Sequence, residues 1–406
     1  MKILHLYSDW KWTGPAEPVL QMCQAMQDRG HEVLIAHSSS PPLEAAIRRT
    51  LDSKLAETLP PDALLEDALR RSVGYKVAEM GLCNTREFAL DRYLNIRKTL
   101  YDFRRLPTFL REQKFDVVHM HLDHDHAEGG FCARRLGKRA PVLVRTLHKR
   151  DVLPKTFLYR WLLRRYTDGW LTFTDGFRQE YIRRFDLPAE RVGVQPMTVN
   201  LDLFRPDRPV KDIRGELGVG PDTPLIGIVG RYQKYRRMDI FMEAASLVVK
   251  ERPDVRFVVI GRSSQIQKTV VEPAERLGIR DKVILAGYRM EDYPDSVAAL
   301  DIFSLLMPGF DGTARALREA MALAKPCVVP EFGMLPEIVP HGRAGLVVRR
   351  EDPAALADGW LQLLRDRELR LKLGEGARAE ALARFQIAQL GPELEAFYGR
   401  LLASRK

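Results

Sequence analysis

The apolar run Leu225 to Val229 leads directly into Gly230-Arg231-Tyr232-Gln233-Lys234-Tyr235-Arg236-Arg237. A glycine at the tip of a strand lets backbone approach a ligand, and a cluster of four cations within seven residues suits a diphosphate carrying about two negative charges. Such a turn can hold a leaving phosphate without a metal. A plain surface turn would also be basic, but Tyr232 and Tyr235 interleave these cations in a way that solubilising surface does not require. Further on, Met307-Pro308-Gly309-Phe310-Asp311-Gly312-Thr313-Ala314 opens a helical stretch that carries Glu319. The pattern predicts a buried strand, a glycine turn and a helix, with the amides around Gly312, Thr313 and Ala314 turned toward an anion or sugar hydroxyls. Asp311 lies at the mouth, and Glu319, two turns into the helix, is placed to accept hydrogen bonds from vicinal hydroxyls.

Two other segments are candidates of a different kind. Trp10-Lys11-Trp12-Thr13-Gly14-Pro15 follows the first apolar run; it is not G-x-G-x-x-G, so nicotinamide and flavin chemistry have no support. Its tryptophans could stack on a substrate or lie partly buried. Four of the nine histidines fall in His119-Met120-His121-Leu122-Asp123-His124-Asp125-His126. Alternating His and Asp suggests metal, yet no cysteine lies near and no zinc signature fits, so no metal is expected. The favoured reading is a neutral histidine at a strand's carboxyl end, contacting an uncharged hydroxyl or a donor sugar.

The elements that must position these residues follow a repeated strand and helix rhythm. Lys2 to Tyr7, Glu32 to Ala36, Asp116 to His119, Val142 to Arg145 and Gly169 to Thr172 read as buried strands, and Glu17 to Arg29 as a helix ended by Gly30. Residues 41–112 interrupt the rhythm as a mostly helical, charged insertion. The pattern restarts with strands at Leu225 to Val229, Arg256 to Ile260, Val283 to Ala286, Ile302 to Met307, Cys327 to Val329 and Leu346 to Val348. The Pro- and Gly-rich stretch 206–223 marks a linker. The expected fold is α/β, with two Rossmann-like domains whose parallel sheets face across a cleft and bind ligands beyond the strands' carboxyl ends. The expected domains are 1–205, 206–385, and a C-terminal helix, 386–406, that returns to the first.

Length and composition agree with this. The 406 residues allow two or three domains, and 45% hydrophobic with 29% charged residues is ordinary for a globular protein. The start goes polar after one short apolar run, unlike a signal peptide, and no run approaches a membrane span. Cys23, Cys83, Cys132 and Cys327 are far apart, which points to a reducing, cytoplasmic setting. Residues 92–200 hold 22 Lys and Arg against 12 Asp and Glu, while the rest of the chain holds 42 of each, so this segment carries the whole net charge of +10. It could attract nucleic acid, an anionic lipid surface or a phosphorylated substrate, or simply keep the protein soluble. No RNP, KH or zinc-finger signature is present, so nucleic acid is not expected as a partner.

These motifs, together with Gly333-Met334-Leu335-Pro336-Glu337-Ile338, Gly342-Arg343-Ala344-Gly345 and Val199-Asn200-Leu201-Asp202-Leu203-Phe204-Arg205-Pro206, resemble the family 4 retaining glycosyltransferases of GT-B fold over nearly the whole chain. The resemblance implies that Arg231 and Arg236 neutralise a donor diphosphate, with Lys234 and Gly230 beside it. It places Glu319 on the nucleotide ribose, and Asp311 with the amides of Gly312, Thr313 and Ala314 on the transferred sugar. Gly14 would lie near the phosphates and acceptor, and His121, in H-x-H, would face the reacting centre. The sequence departs from the family pattern at Asp311, where glutamate is usual, at Arg236, where lysine is usual, and at Pro15, which removes an amide.

The expected function is therefore transfer of a sugar, with retention, from a nucleotide diphosphate donor to a glycan, lipid-linked or lipopolysaccharide-type acceptor. No cofactor or metal is needed, the nucleotide sugar being a substrate. The protein would be cytoplasmic, in reversible contact with an anionic membrane at its inner face. The rivals are a nucleotide-sugar epimerase on the same scaffold and a non-catalytic phosphosugar- or nucleic-acid-binding protein. Release of nucleoside diphosphate with and without acceptors separates the three.

Overall fold

A computed structural model describes residues 1–12, 14–38, 72–91, 95–148, 151–208, 211–308 and 314–405. They group into two compact units, Met1–Pro196 with Ile387–Lys406, and Met197–Gln386. Composition pointed to 206–223 for the break. The structure divides the chain earlier because Val199 bridges to Gln386 and Phe204 is buried within the second unit.

The first unit is built on a parallel sheet of Lys2–Tyr7 (β1), Glu32–His37 (β2), Asn84–Thr85 (β3), Val117–Met120 (β4), Val142–Thr146 (β5), Gly169–Thr172 (β6) and Val192–Val194 (β7). Their order is β3-β2-β1-β4-β5-β6-β7. Both faces are covered, which is why β1 and β4 read as nearly unbroken apolar runs. Ile3, Tyr7, Val117 and Val144 pack beneath Ala16–Gln27 (α1), Val73–Glu79 (α2) and the C-terminal helix Ile387–Ala403. Leu4, Leu6, Val118 and Leu143 face the opposite way, onto Ile96–Gln113 (α3) and Asp123–Arg134 (α4). Phe157–Arg165 (α5) and Asp175–Phe185 (α6) contribute Leu163, Tyr181 and Phe185 to a cluster around Trp170. The chain leaves α1 through Gly30, whose φ of +80° is left-handed backbone that glycine adopts without strain. Of the stretch 41–112, residues 41–71 lie outside the described residues; the remainder holds α2, β3 and most of α3.

The second unit repeats the design with Leu225–Val229 (β8), Arg256–Ile260 (β9), Val283–Gly287 (β10), Ile302–Ser304 (β11), Cys327–Pro330 (β12) and Gly345–Val348 (β13), all parallel, in the order β10-β9-β8-β11-β12-β13. Its helices include Met238–Glu251 (α7), Tyr293–Ala298 (α8), Arg315–Ala322 (α9), Pro353–Arg365 (α10) and Arg367–Arg384 (α11). Trp360 of α10 sits at the centre of the core, its ring 5.0 Å from Phe241 and 5.7 Å from Phe257, and its indole N–H donates to Ser304 Oγ at 2.8 Å. Buried indole keeps its partner, as it must to avoid an unsatisfied donor.

In each unit the strand order reverses once, between β1 and β4 and between β8 and β11. At such switch points the loops diverge and leave room for a ligand beyond the carboxyl ends. The first unit also carries a polar row through its apolar core. His119 lies between Tyr398 of the C-terminal helix, whose hydroxyl is 2.7 Å from Nδ1, and Thr146 of β5, whose Oγ1 is 2.7 Å from Nε2. Tyr398→Phe leaves His119 Nδ1 buried without a partner. We expect a loss of about 1–3 kcal/mol in urea unfolding, with an unchanged denaturant slope; an unshifted midpoint would show that the bond adds nothing.

Candidate functional site

The expected residues that the structure describes gather at the two switch points, each set within its own unit. In the second unit β8 delivers Gly230, whose amide donates to Ile260 O at 3.0 Å. Gly261, at the end of β9, has φ +136°, and a Cβ there would meet the Gly230 carbonyl oxygen at 2.0 Å. The two strand tips therefore touch only because one of them is glycine. Tyr232 is buried, its hydroxyl 3.0 Å from Ile228 O and 2.5 Å from Ile260 O, while its own carbonyl accepts from Ser263 and Thr269. It is the plug that fixes the turn. The sequence showed only that Tyr232 interleaves the cations; the structure gives this ring to the core.

The four cations of the turn are not equivalent. Arg237 is neutralised by Asp239 at 3.1 Å and Glu351 at 2.8 Å. Arg236 donates from Nη1 to Met307 O at 2.6 Å, and its Nε is buried with no hydrogen-bond partner among the described residues. Its guanidinium carbon lies 3.9 Å from where a Gly230 Cβ would stand, so it overhangs the strand tip. Arg231 and Lys234 are exposed and have no acidic partner among the described residues. Three cations thus remain to meet an anion at the switch point between β8 and β11.

Asp311, Gly312 and Thr313 lie outside the described residues. Ala314 is buried, in left-handed backbone at φ +43°, and caps α9. One turn on, Glu319 is 2% exposed; it accepts from Tyr293 Oη at 2.6 Å and from Arg315 Nε at 2.6 Å. Burial and the neighbouring Glu319 charge raise the Tyr293 phenol well above its usual range, so it stays a donor. Tyr293 lies in α8 and offered no local pattern that would link it to Glu319.

In the first unit Gly14 occupies the turn before α1, and Trp12, half-buried, packs on the core. The histidine run is divided among three elements: His119 is in β4, His121 in the loop after it, and His126 in α4, bonded to Thr167 Oγ1 at 2.8 Å. It is therefore not one metal cluster. His121 is fully buried with both ring nitrogens engaged: Nε2 is 3.0 Å from His5 Nδ1, and Nδ1 is 3.2 Å from His148 Nε2. In place of facing open space, it is the middle of an imidazole chain. His5, His119 and His121 bring one nitrogen each within 4.8 Å of one another, a spacing a metal could share; His5 Nδ1 and both His119 nitrogens have protein partners, while His5 Nε2 is buried with none among the described residues. Asp125 binds the strand ends together, accepting from the amides of Ser8 and His121 at 2.9 Å and of Leu122 at 2.8 Å. Arg145, itself buried, lies 3.5 Å from it. His5, His148, Thr146 and Tyr398 were not legible as one group because they are scattered along the sequence.

Two parallel doubly wound sheets of this kind define the GT-B class of α/β enzymes. The profile of Glycosyltransferase Family 4 matches residues 13–203, and that of Glycosyl transferases group 1 matches residues 209–380. The chain belongs to the family 4 glycosyltransferases. It is 23% identical to N-acetyl-alpha-D-glucosaminyl L-malate synthase of Bacillus anthracis, over 79% of this chain and 84% of that protein. It is 22% identical to the UDP-Gal:alpha-D-GlcNAc-diphosphoundecaprenol alpha-1,3-galactosyltransferase of Escherichia coli, over 76% of this chain and 81% of that protein. Its fold matches Anabaena HepE in complex with UDP with a TM-score of 0.76, at 18% identity, covering 98% of this chain and 100% of HepE.

The buried titratable groups set the pH response. Burial pushes His5 and His126 down to about 3 and holds His119 and His121 well below the usual imidazole range. Burial pushes Asp125 and Glu128 up to about 7, and raises Asp102. On unfolding just below pH 6.5 the four histidines take up protons, which removes stability as pH falls. The three acids act oppositely, because the folded state holds their protons more tightly. The histidines outnumber the acids, and their uptake grows as pH falls through 6.5, so net proton uptake on unfolding should appear below that pH and Tm should fall from pH 6.5 to 5.5. Calorimetry over that range tests the balance; a Tm that rises would show that the acids dominate.

Proposed function

We propose that this glycosyltransferase moves a sugar from a nucleoside diphosphate sugar to a glycan, lipid-linked or lipopolysaccharide-type acceptor, with retention at the anomeric carbon. The observation that carries the reading is the overhang of Arg236 above Gly230, with Arg231 and Lys234 beside it and no acid to neutralise them among the described residues. UDP in the HepE structure, and the UDP-Gal and diphosphoundecaprenol in the Escherichia coli enzyme's name, support a nucleotide donor and a lipid-linked acceptor.

In this mechanism the bond between the anomeric carbon and the diphosphate oxygen breaks as Arg231 and Arg236 take up the charge that develops on the leaving group. The acceptor oxygen attacks from the face the diphosphate is leaving, and its proton passes to the departing phosphate oxygen. Bonds and charge balance without a covalent enzyme intermediate. Glu319 receives the ribose hydroxyls in place of its contact with Arg315, whose side chain is partly exposed. Asp311 and the amides of Gly312, Thr313 and Ala314 hold the transferred sugar. Within the first unit, Gly14 serves the turn before α1, and His121 acts from within the imidazole chain as a positioning group for the loop after β4. A lipid-linked acceptor places the enzyme peripherally on the cytoplasmic face of a membrane.

Arg231→Ala and Arg236→Ala each remove a charge-assisted contact of roughly 1.5 to 3 kcal/mol, so donor kcat/KM should fall by about ten to more than a hundredfold. A folded Arg236→Ala enzyme with unchanged donor kcat/KM would sink the assignment. With these cations serving the leaving group, activity should survive EDTA treatment and removal of the chelate. Complete loss restored by manganese would instead give the His5, His119 and His121 group, or another site, to a required ion.

A further inference from the structure

Helices α3, α4 and α5 lie on one face of the first sheet, and their outer surface is unusual. In α5, Phe157, Leu158 and Trp161 are 84%, 59% and 42% exposed, and Leu163 is the helix's single buried residue. In α3 the residues Arg97, Leu100, Tyr101, Arg104 and Arg105, spaced to share one stripe of the helix, line a shallow depression. The two helices are joined by a line of rings, of which Trp161 and Phe131 are exposed and Tyr166 is buried. Trp161 lies 4.9 Å from Tyr166, Tyr166 lies 6.2 Å from Phe131 of α4, and Phe131 lies 5.3 Å from Phe103 of α3. Apolar groups left in water over three adjacent helices are not what solubility requires.

The charges around this band are also distinctive. Arg160 and Arg164 pair with Asp186, at 3.5 and 2.7 Å. Arg97, Arg104, Arg105 and Arg135 have no acidic partner among the described residues. Arg105 stacks 4.8 Å from the Tyr101 ring and Arg135 5.9 Å from that of Phe131. The band therefore presents rings and aliphatic groups beside unneutralised guanidinium groups, inside the segment 92–200 that holds the chain's entire net charge. A second copy of the same face would set arginine against arginine. A surface of phosphate headgroups over hydrocarbon complements both features, because the rings reach the interface while the arginines stay at phosphate level.

We propose that the outer surface of α3, α4 and α5 is the docking face for an anionic phospholipid bilayer. The proposal builds on the peripheral placement above but not on the donor chemistry, and its test uses neither donor nor acceptor. The full chain is sedimented with vesicles of phosphatidylcholine alone or phosphatidylcholine with phosphatidylglycerol, across a salt series. Binding should need phosphatidylglycerol and weaken as salt rises. The variant R97Q/R104Q/R105Q should lower partitioning by at least about tenfold at low salt, and F157S/L158S/W161S should lower it too, both with an unshifted Tm because the side chains are exposed. Arg231→Ala should bind vesicles like the parent, which separates failure of this proposal from failure of the donor assignment. No binding to anionic vesicles at low salt, equal binding to neutral vesicles, or indifference to both triple variants would overturn it. So would a dimer in sedimentation equilibrium that F157S/L158S/W161S converts to monomer, since the face would then be covered by a second copy.

Discussion

The hydrogen bond from Arg236 to the Met307 carbonyl ties together the two strand ends that flank the switch point of the second sheet. Much of the proposed chemistry depends on that tie. A guanidinium on a solvated turn would spread its charge over many rotamers. Held by Met307 and poised over Gly230, it is pre-organised for an anion, and pre-organisation is what makes an electrostatic contact count in the transition state. The tie depends in turn on residues that never meet a ligand. Tyr232 fills the turn from below, and Gly261 lets the tips of β8 and β9 approach.

The first unit uses a different device. Its switch point is held by a buried polar assembly: Asp125 collects amides from the ends of β1 and β4, and His5, His121 and His148 hand hydrogen bonds from ring to ring. A neutral imidazole with both nitrogens engaged must donate at one and accept at the other, so one proton position sets the next along the chain. Such a network restricts the loop while its rings stay uncharged, with His5 Nε2 left as the one ring nitrogen of His5 without a partner among the described residues. That is consistent with a role for His121 in position, not in contact.

Much of the fold was legible because buried parallel strands are short apolar runs. Lys2–Tyr7, Leu225–Val229 and Arg256–Ile260 fall where the pattern placed them. The edge strands Asn84–Thr85 and Val192–Val194 were not, since two or three residues are too few to carry a periodic signal. At the site, the cation-rich turn could be read because it is local. What could not be read was pairing across distance: Arg237 with Glu351, Tyr293 with Glu319, and His119 with Tyr398. Residue type and spacing named the four cations of the turn, and only the folded arrangement showed that one of them is already neutralised. For the same reason Phe157 and Trp161, which a helical pattern could have assigned to the core, turned out to lie at the surface.

A crystal structure of this protein with bound UDP tests the role of Arg236 most directly. The diphosphate should lie at the switch point between β8 and β11, with a terminal phosphate oxygen within hydrogen-bond distance of the Arg236 guanidinium and Arg231 turned toward it. A nucleotide seated elsewhere, or one whose phosphates leave Arg236 bonded to Met307 alone while both cations face solvent, would contradict it.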